Sequence, residues 1–149
     1  MKFKSDAVRV ELSEAEPKVV AIALYADWWS MIEFGHQLIV TDVSRSQAEY
    51  DAIYAEAVLR GNYWTDGGGI RHYAGPMPHL SDPVRKLKCR AVDLGVRHSG
   101  FMEEERLLRS EAILLADRVN AYWPRRDGKR TAMYHDVGQG PHVHLQAEI

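Results

Sequence analysis

Cysteine is nearly absent from this 149-residue chain, which has only Cys89. That excludes an internal disulfide framework and a four-thiolate zinc site, so any metal must rest on His, Asp or Glu. An excess of one charge is missing too. Nineteen Lys+Arg face 21 Asp+Glu, a net charge of −2, with a sequence pI of about 6.4. Such a balance provides no field that would hold a polyanion, which argues against sequence-independent nucleic-acid binding. Long apolar runs are also lacking. The longest, Val19 to Ala26, has eight residues, far short of the ~18 needed to span a bilayer. Met1-Lys2-Phe3-Lys4 has the charge of a signal-peptide n-region, but Ser5-Asp6-Ala7-Val8-Arg9 follows where an apolar stretch is required. The expectation is a chain made in the cytoplasm, with no cleaved leader and no membrane span.

The length suffices for one domain with one core and is too short for two, so residues 1–149 are read as a single domain. Val19, Val20, Ile22, Leu24, Trp28, Trp29, Met31, Ile32 and Phe34 follow Pro17 with apolar residues on nearly every side. They predict a buried helix over 17–34, opened by proline and stopped by Gly35. Leu38 to Val43 is β-branched and apolar and predicts a strand. Ser46-Gln47-Ala48-Glu49 then has capping-box spacing ahead of a helical repeat that ends at Gly61.

From Asn62 to Pro83 glycine, proline and aromatics predict a long loop. Cys89 to Val96 reads as a strand and roughly Met102 to Trp123 as a third helix ended by Pro124. Thr131 to Asp136 and Pro141 to Ala147 flank Gly138-Gln139-Gly140 as a hairpin. No repeat interrupts this order. The fold class expected is α+β, a small antiparallel sheet packed by about three helices.

Two places carry chemistry. His142 and His144 lie two apart in a predicted strand, so they project from one face about 6 to 7 Å apart. There one imidazole can hold a metal while the other faces the reacting water. Asp93 interrupts an apolar strand between Val92 and Leu94. A buried carboxylate needs a cation or several hydrogen bonds to stay ionised. A metal shared with His144 meets that need, as would hydrogen bonds from loop amides.

On these residues the chain resembles the LAS metallopeptidases, a family that includes D-Ala-D-Ala carboxypeptidases and phage L-Ala-D-Glu endolysins. Val40 to Glu49, with Ser44-Arg45, looks like the family's serine-arginine segment. Arg90-Ala91-Val92-Asp93-Leu94 looks like the core of its S-x-H-x-x-G-R-A-x-D pattern, and His142-Val143-His144 like its terminal His-x-His. All three occur in the family's order, over roughly residues 17 to 147.

The resemblance implies a hedgehog-like α+β fold, a zinc ion, and cleavage of peptides in bacterial cell-wall peptidoglycan. By position, Asp93 and His144 would be zinc ligands, His142 would stand beside the attacking water or the oxyanion, and Arg45 would bind a substrate carboxylate or carbonyl. Zinc on three protein ligands suits hydrolysis because it lowers the pKa of water to about 7. Arginine suits a carboxylate because its planar fork pairs bidentately.

The chain departs from the family pattern at three points, one of them Cys89 in place of the glycine four before the aspartate. Lys86 occupies the slot of the first ligand histidine, and a protonated ammonium has no lone pair to donate. His79 is the substitute expected if Ser81 to Lys88 is an inserted loop, with His72 and His98 as second choices. The family's glutamate, three before a ligand histidine, is also missing, since Gln139 and Pro141 hold those places. Proton transfer then falls to His142, with Asp136 expected to orient it.

Gly67-Gly68-Gly69 lacks the Lys-Ser/Thr of a phosphate cradle and reads as a turn or lid. Trp28 and Trp29 are expected in the core and Trp64 at a substrate rim. The functional expectation is a zinc peptidase acting on peptidoglycan peptides, a phage lysis or virion enzyme. A different class is a catalytically inactive relative serving as a cell-wall-binding or phage structural module. A zinc site used only for stability is a third.

Overall fold

The computed structural model describes residues 1–65, 67–73, 88–97, 106–136 and 140–148. Among these residues lie four helices, α1 (Asp6–Glu14), α2 (Pro17–Phe34), α3 (Gln47–Arg60) and α4 (Arg109–Tyr122), and seven strands. The strands are β1 (Lys2–Phe3), β2 (Ile39–Asp42), β3 (Tyr63–Thr65), β4 (Arg71–Tyr73), β5 (Ala91–Gly95), β6 (Ala132–Asp136) and β7 (Pro141–Gln146). Five form one sheet in the order β1-β2-β5-β7-β6, and β3 pairs with β4. β2, β5, β7 and β6 run antiparallel, but β1 is parallel to β2, so the sheet is mixed.

Alternation along the strands separates two faces. Val40, Val92, Leu94, Val143, Leu145 and Ala132 point into the core, closed by α1, α2 and α4. Asp93, His142, His144 and Gln146 occupy the alternate positions and therefore share the opposite face, across the sheet from α2 and α4. A one-residue register slip in β5 or β7 would bury the histidines and expose the leucines, so the hydrophobic core itself fixes the site's alignment.

Helix α2 matches its sequence reading at both ends, with Pro17 in the first turn and Gly35 as a left-handed C-cap at φ 77°. Only one side of it is buried. Trp29 packs on the core as expected, whereas Trp28 is 57% exposed, a correction made by the alignment of Trp28 with Leu24 and Ile32 on the side away from the sheet. Ser46 caps α3 by accepting the Glu49 amide at 3.2 Å, and Gly61 ends it.

Other differences have local causes. No helix is expected from the sequence before α2, yet Ser5 accepts the Val8 amide and starts α1, which buries Val8 and Leu12 one turn apart. Within the expected loop after Asn62, β3 and β4 form a hairpin whose turn includes Gly69 at φ 81°. Gly67-Gly68-Gly69 forms the turn of this hairpin. Helix α4 begins at Arg109, later than expected. Leu107 is instead extended, pairing with Val96 and burying its side chain. Among the described residues, no helix is long and apolar enough to cross a membrane.

Candidate metal centre

The register of β5 against β7 places Asp93 directly opposite His144. Their side chains meet on the face away from the core, with Asp93 Oδ1 3.0 Å from His144 Nδ1, although 51 positions separate them in sequence. The residue pair on which the metal reading depends is therefore in contact.

The proton on His144 can be followed through its neighbour. Gln146 donates its amide Nε2 to the Arg130 carbonyl at 3.2 Å, which turns its Oε1 toward His144 Nε2 at 3.3 Å. An amide oxygen only accepts, so Nε2 carries the hydrogen. In the neutral ring that leaves a lone pair on Nδ1 aimed at a carboxylate oxygen, and two such atoms repel unless a proton or a metal cation lies between them. Zinc bonds near 2.1 Å with tetrahedral angles would set two donors about 3.4 Å apart. The observed 3.0 Å is the spacing of a hydrogen bond, so the pair would open by a few tenths of an ångström to take an ion. With an ion bound, Gln146 would play the outer part usual for a ligand histidine, accepting its second N–H.

Asp93 has a second neighbour of interest. β2 shifts register between Val40 and Asp42, which brings Asp42 opposite Asp93. Two carboxylates facing each other on one sheet repel. Arg45 relieves this. Its Nε and Nη2 lie 2.8 and 2.6 Å from Asp42 Oδ2, and Nη2 lies 3.9 Å from Asp93 Oδ2. The Arg45 side chain, expected to await a substrate, is 13% exposed, and its guanidinium is engaged with these carboxylates.

His142 shares the face, two positions before His144. Its Nδ1 lies 2.9 Å from the Gly140 carbonyl, so Nδ1 donates and Nε2 keeps its lone pair. Gly140, not Asp136, supplies the hydrogen bond that orients it. Asp136 pairs in register with Pro141 and is exposed.

His135, not among the residues expected at the site, joins this face. It stands opposite His142 on β6, its ring 5.3 Å from His142 and 6.0 Å from His144, centroid to centroid. Burial lowers its pKa below 6.5, and the charges of His142 and His144 lower it further, against an opposing pull from Asp93. The signal that could have found it was alternation: in Ala132-Met133-Tyr134-His135 the core positions are Ala132 and Tyr134, which puts His135 on the histidine face.

Of the alternatives for a third ligand, His79 and His98 lie outside the described residues, as does Lys86. For His72 only the backbone, in β4 opposite Trp64, is described; the side chain of Trp64, the expected rim residue, is outside the description too. Among the described residues, no group of three or more His, Cys, Asp and Glu side chains is disposed to hold a metal ion. Cys89 is buried and donates to the Val43 carbonyl at 3.0 Å. Comparison of the chain with protein-family models, with curated proteins and with solved structures finds no match.

Proposed function

We propose that the chain is a zinc peptidase of the LAS type acting on peptides of bacterial cell-wall peptidoglycan, as a phage lysis or virion enzyme. One observation carries the reading: Asp93 Oδ1 and His144 Nδ1 face each other at 3.0 Å while Gln146 holds the hydrogen on the other nitrogen. Asp93 and His144 would hold the ion, with His79 as the third ligand taken from the sequence. When bound, zinc supplies a Lewis acid that polarises a peptide carbonyl and acidifies water.

The protein's own groups do the rest. His142, neutral on Nε2, accepts the proton of the attacking water and returns it to the leaving amine. Arg45 keeps the Asp93 carboxylate turned so that Oδ1 meets His144. To anchor a substrate carboxylate as well, Arg45 would have to share its fork with Asp42.

The test begins with protein dialysed against chelator and refilled with zinc. About one zinc should bind per chain, and purified cell walls should release new amino termini near neutral pH. His144→Ala should lose both, and His142→Ala should keep zinc and lose hydrolysis. Zinc-loaded protein that leaves the walls uncut removes the enzymatic reading.

A second reading has its own support. Arg45 is already engaged by two carboxylates, which suits a relative that binds walls, or serves in a phage particle, without cleaving them. Wall binding without release of amino termini would favour it.

A further inference from the structure

Helix α2 is apolar on almost every side, and the sheet covers only one of them. Val19, Ile22, Ala23, Ala26 and Ser30 turn to the core. On the other side Leu24, Trp28 and Ile32 leave more than half of their surface in water, and Met31 nearly half. Ala21, Leu24, Trp28 and Met31 recur at alternating steps of three and four, the spacing of a seam that packs against another helix.

Helix α4 widens the patch. Tyr122 stacks on Tyr25 with ring centroids 4.5 Å apart, and Arg118 Nε donates to the Tyr25 hydroxyl at 3.0 Å. Leu114, one turn before Arg118, and Tyr122, one turn after it, are both more than half exposed and flank the seam.

We propose that this two-helix face is the interface of a homodimer, with α2 of one copy lying antiparallel on α2 of the other about a twofold axis. Area is the first argument. These six side chains leave roughly 700 Å² in water, beyond the ~300–600 Å² of the largest patch on an ordinary monomer and close to the ~800 Å² each partner gives to a standard interface.

The rim is the second argument. On α4, exposed Asp117 follows Leu114 by one turn and adjoins Arg118, so both signs are present at the edge of the patch. A twofold contact offers each copy both signs from its partner, whereas a helix seated on an anionic bilayer carries a basic polar face. A closed twofold contact also stops at two copies. Because α2 and α4 lie across the sheet from Asp93 and His144, the dimer leaves both candidate sites open.

Sedimentation equilibrium of the full chain from about 1 to 200 μM tests this by mass action. The mass should rise from 17.0 kDa toward twice that value. Trp28→Lys should stay at 17.0 kDa throughout, its association weakened at least about 100-fold, with the far-UV circular dichroism of wild type. Ile32→Lys provides a second probe should Trp28→Lys fail to fold. Leu59→Lys, exposed on α3 and away from the patch, should dimerise like wild type. A wild type that remains at 17.0 kDa over the whole range overturns the proposal. So does undiminished dimerisation of both patch variants, or a monomer that co-sediments through this face with phosphatidylserine-containing vesicles.

Discussion

At the scale of single residues, the candidate centre rests on groups that satisfy one another's charge. Arg45 stands between Asp42 and Asp93, which the β2 register shift brings face to face. Arg45→Ala therefore leaves two carboxylates opposed in a largely buried place. It should cost on the order of 3 kcal/mol of stability, read as a drop in the urea midpoint at pH 7. Asp42→Asn in the same background should recover part of that loss, because it removes the repulsion that the arginine had relieved; no recovery would mean Arg45 acts through packing alone.

Asp93 and His144 were legible in the sequence because a carboxylate among valine and leucine needs a partner once buried, and strand alternation puts both histidines of a His-x-His on one face. Asp42 and Gln146 were not. Their roles depend on a bulge and on an amide orientation that no spacing rule reports.

At the scale of elements, the helices with clear punctuation were readable. Pro17 and Gly35 bracket α2, and Ser46 and Gly61 bracket α3. Ser46→Ala should cost about 1 kcal/mol through loss of the Glu49 amide's acceptor, a small shift in melting temperature with activity unchanged. The start of α4 was misread because Leu107 and Leu108 fit a helical stripe, while the chain uses Leu107 in an extended bridge beside β5. Helix α1, two turns long, gave too short a period to register.

Within β5, Gly95 is fixed by its neighbours. A Cβ there would lie 2.8 Å from Ile39 Cγ2 and 3.1 Å from both Thr41 Cγ2 and Arg106 Cγ. Gly95→Val should force β2 away from β5 and destabilise by about 1–3 kcal/mol. Because Asp93 is two residues away on the same strand, zinc affinity should fall as well if the proposed site binds zinc. Gly95→Val with wild-type stability and affinity would show that β2 yields freely at this point.

At the scale of the whole molecule, two partly buried groups pull stability in opposite directions as pH changes. Burial, with help from His142 and His144, holds the His135 pKa below its ordinary 6.5. The unfolded chain then takes up this proton more readily than the native one, so stability is full above about 6.5 and falls as pH drops through the lower native value.

Glu11 behaves in reverse. It accepts the Ser44 amide at 3.3 Å, yet burial raises its pKa above 4.5, with Asp42, Glu49 and Glu14 adding to the rise against the Ser44 hydrogen bond. Here the native state binds the proton more tightly, so stability present below 4.5 is lost as pH rises through the higher native value.

Urea titrations in chelator, which remove any metal from the comparison, should separate the two. His135→Gln should lessen the loss of stability on going from pH 7 toward 5, and Glu11→Gln should lessen the loss on going upward from 4.5. If His135→Gln and wild type keep a constant difference across that acid limb, the neutral imidazole is not what the fold protects, and the three-histidine face is held together by packing rather than by charge.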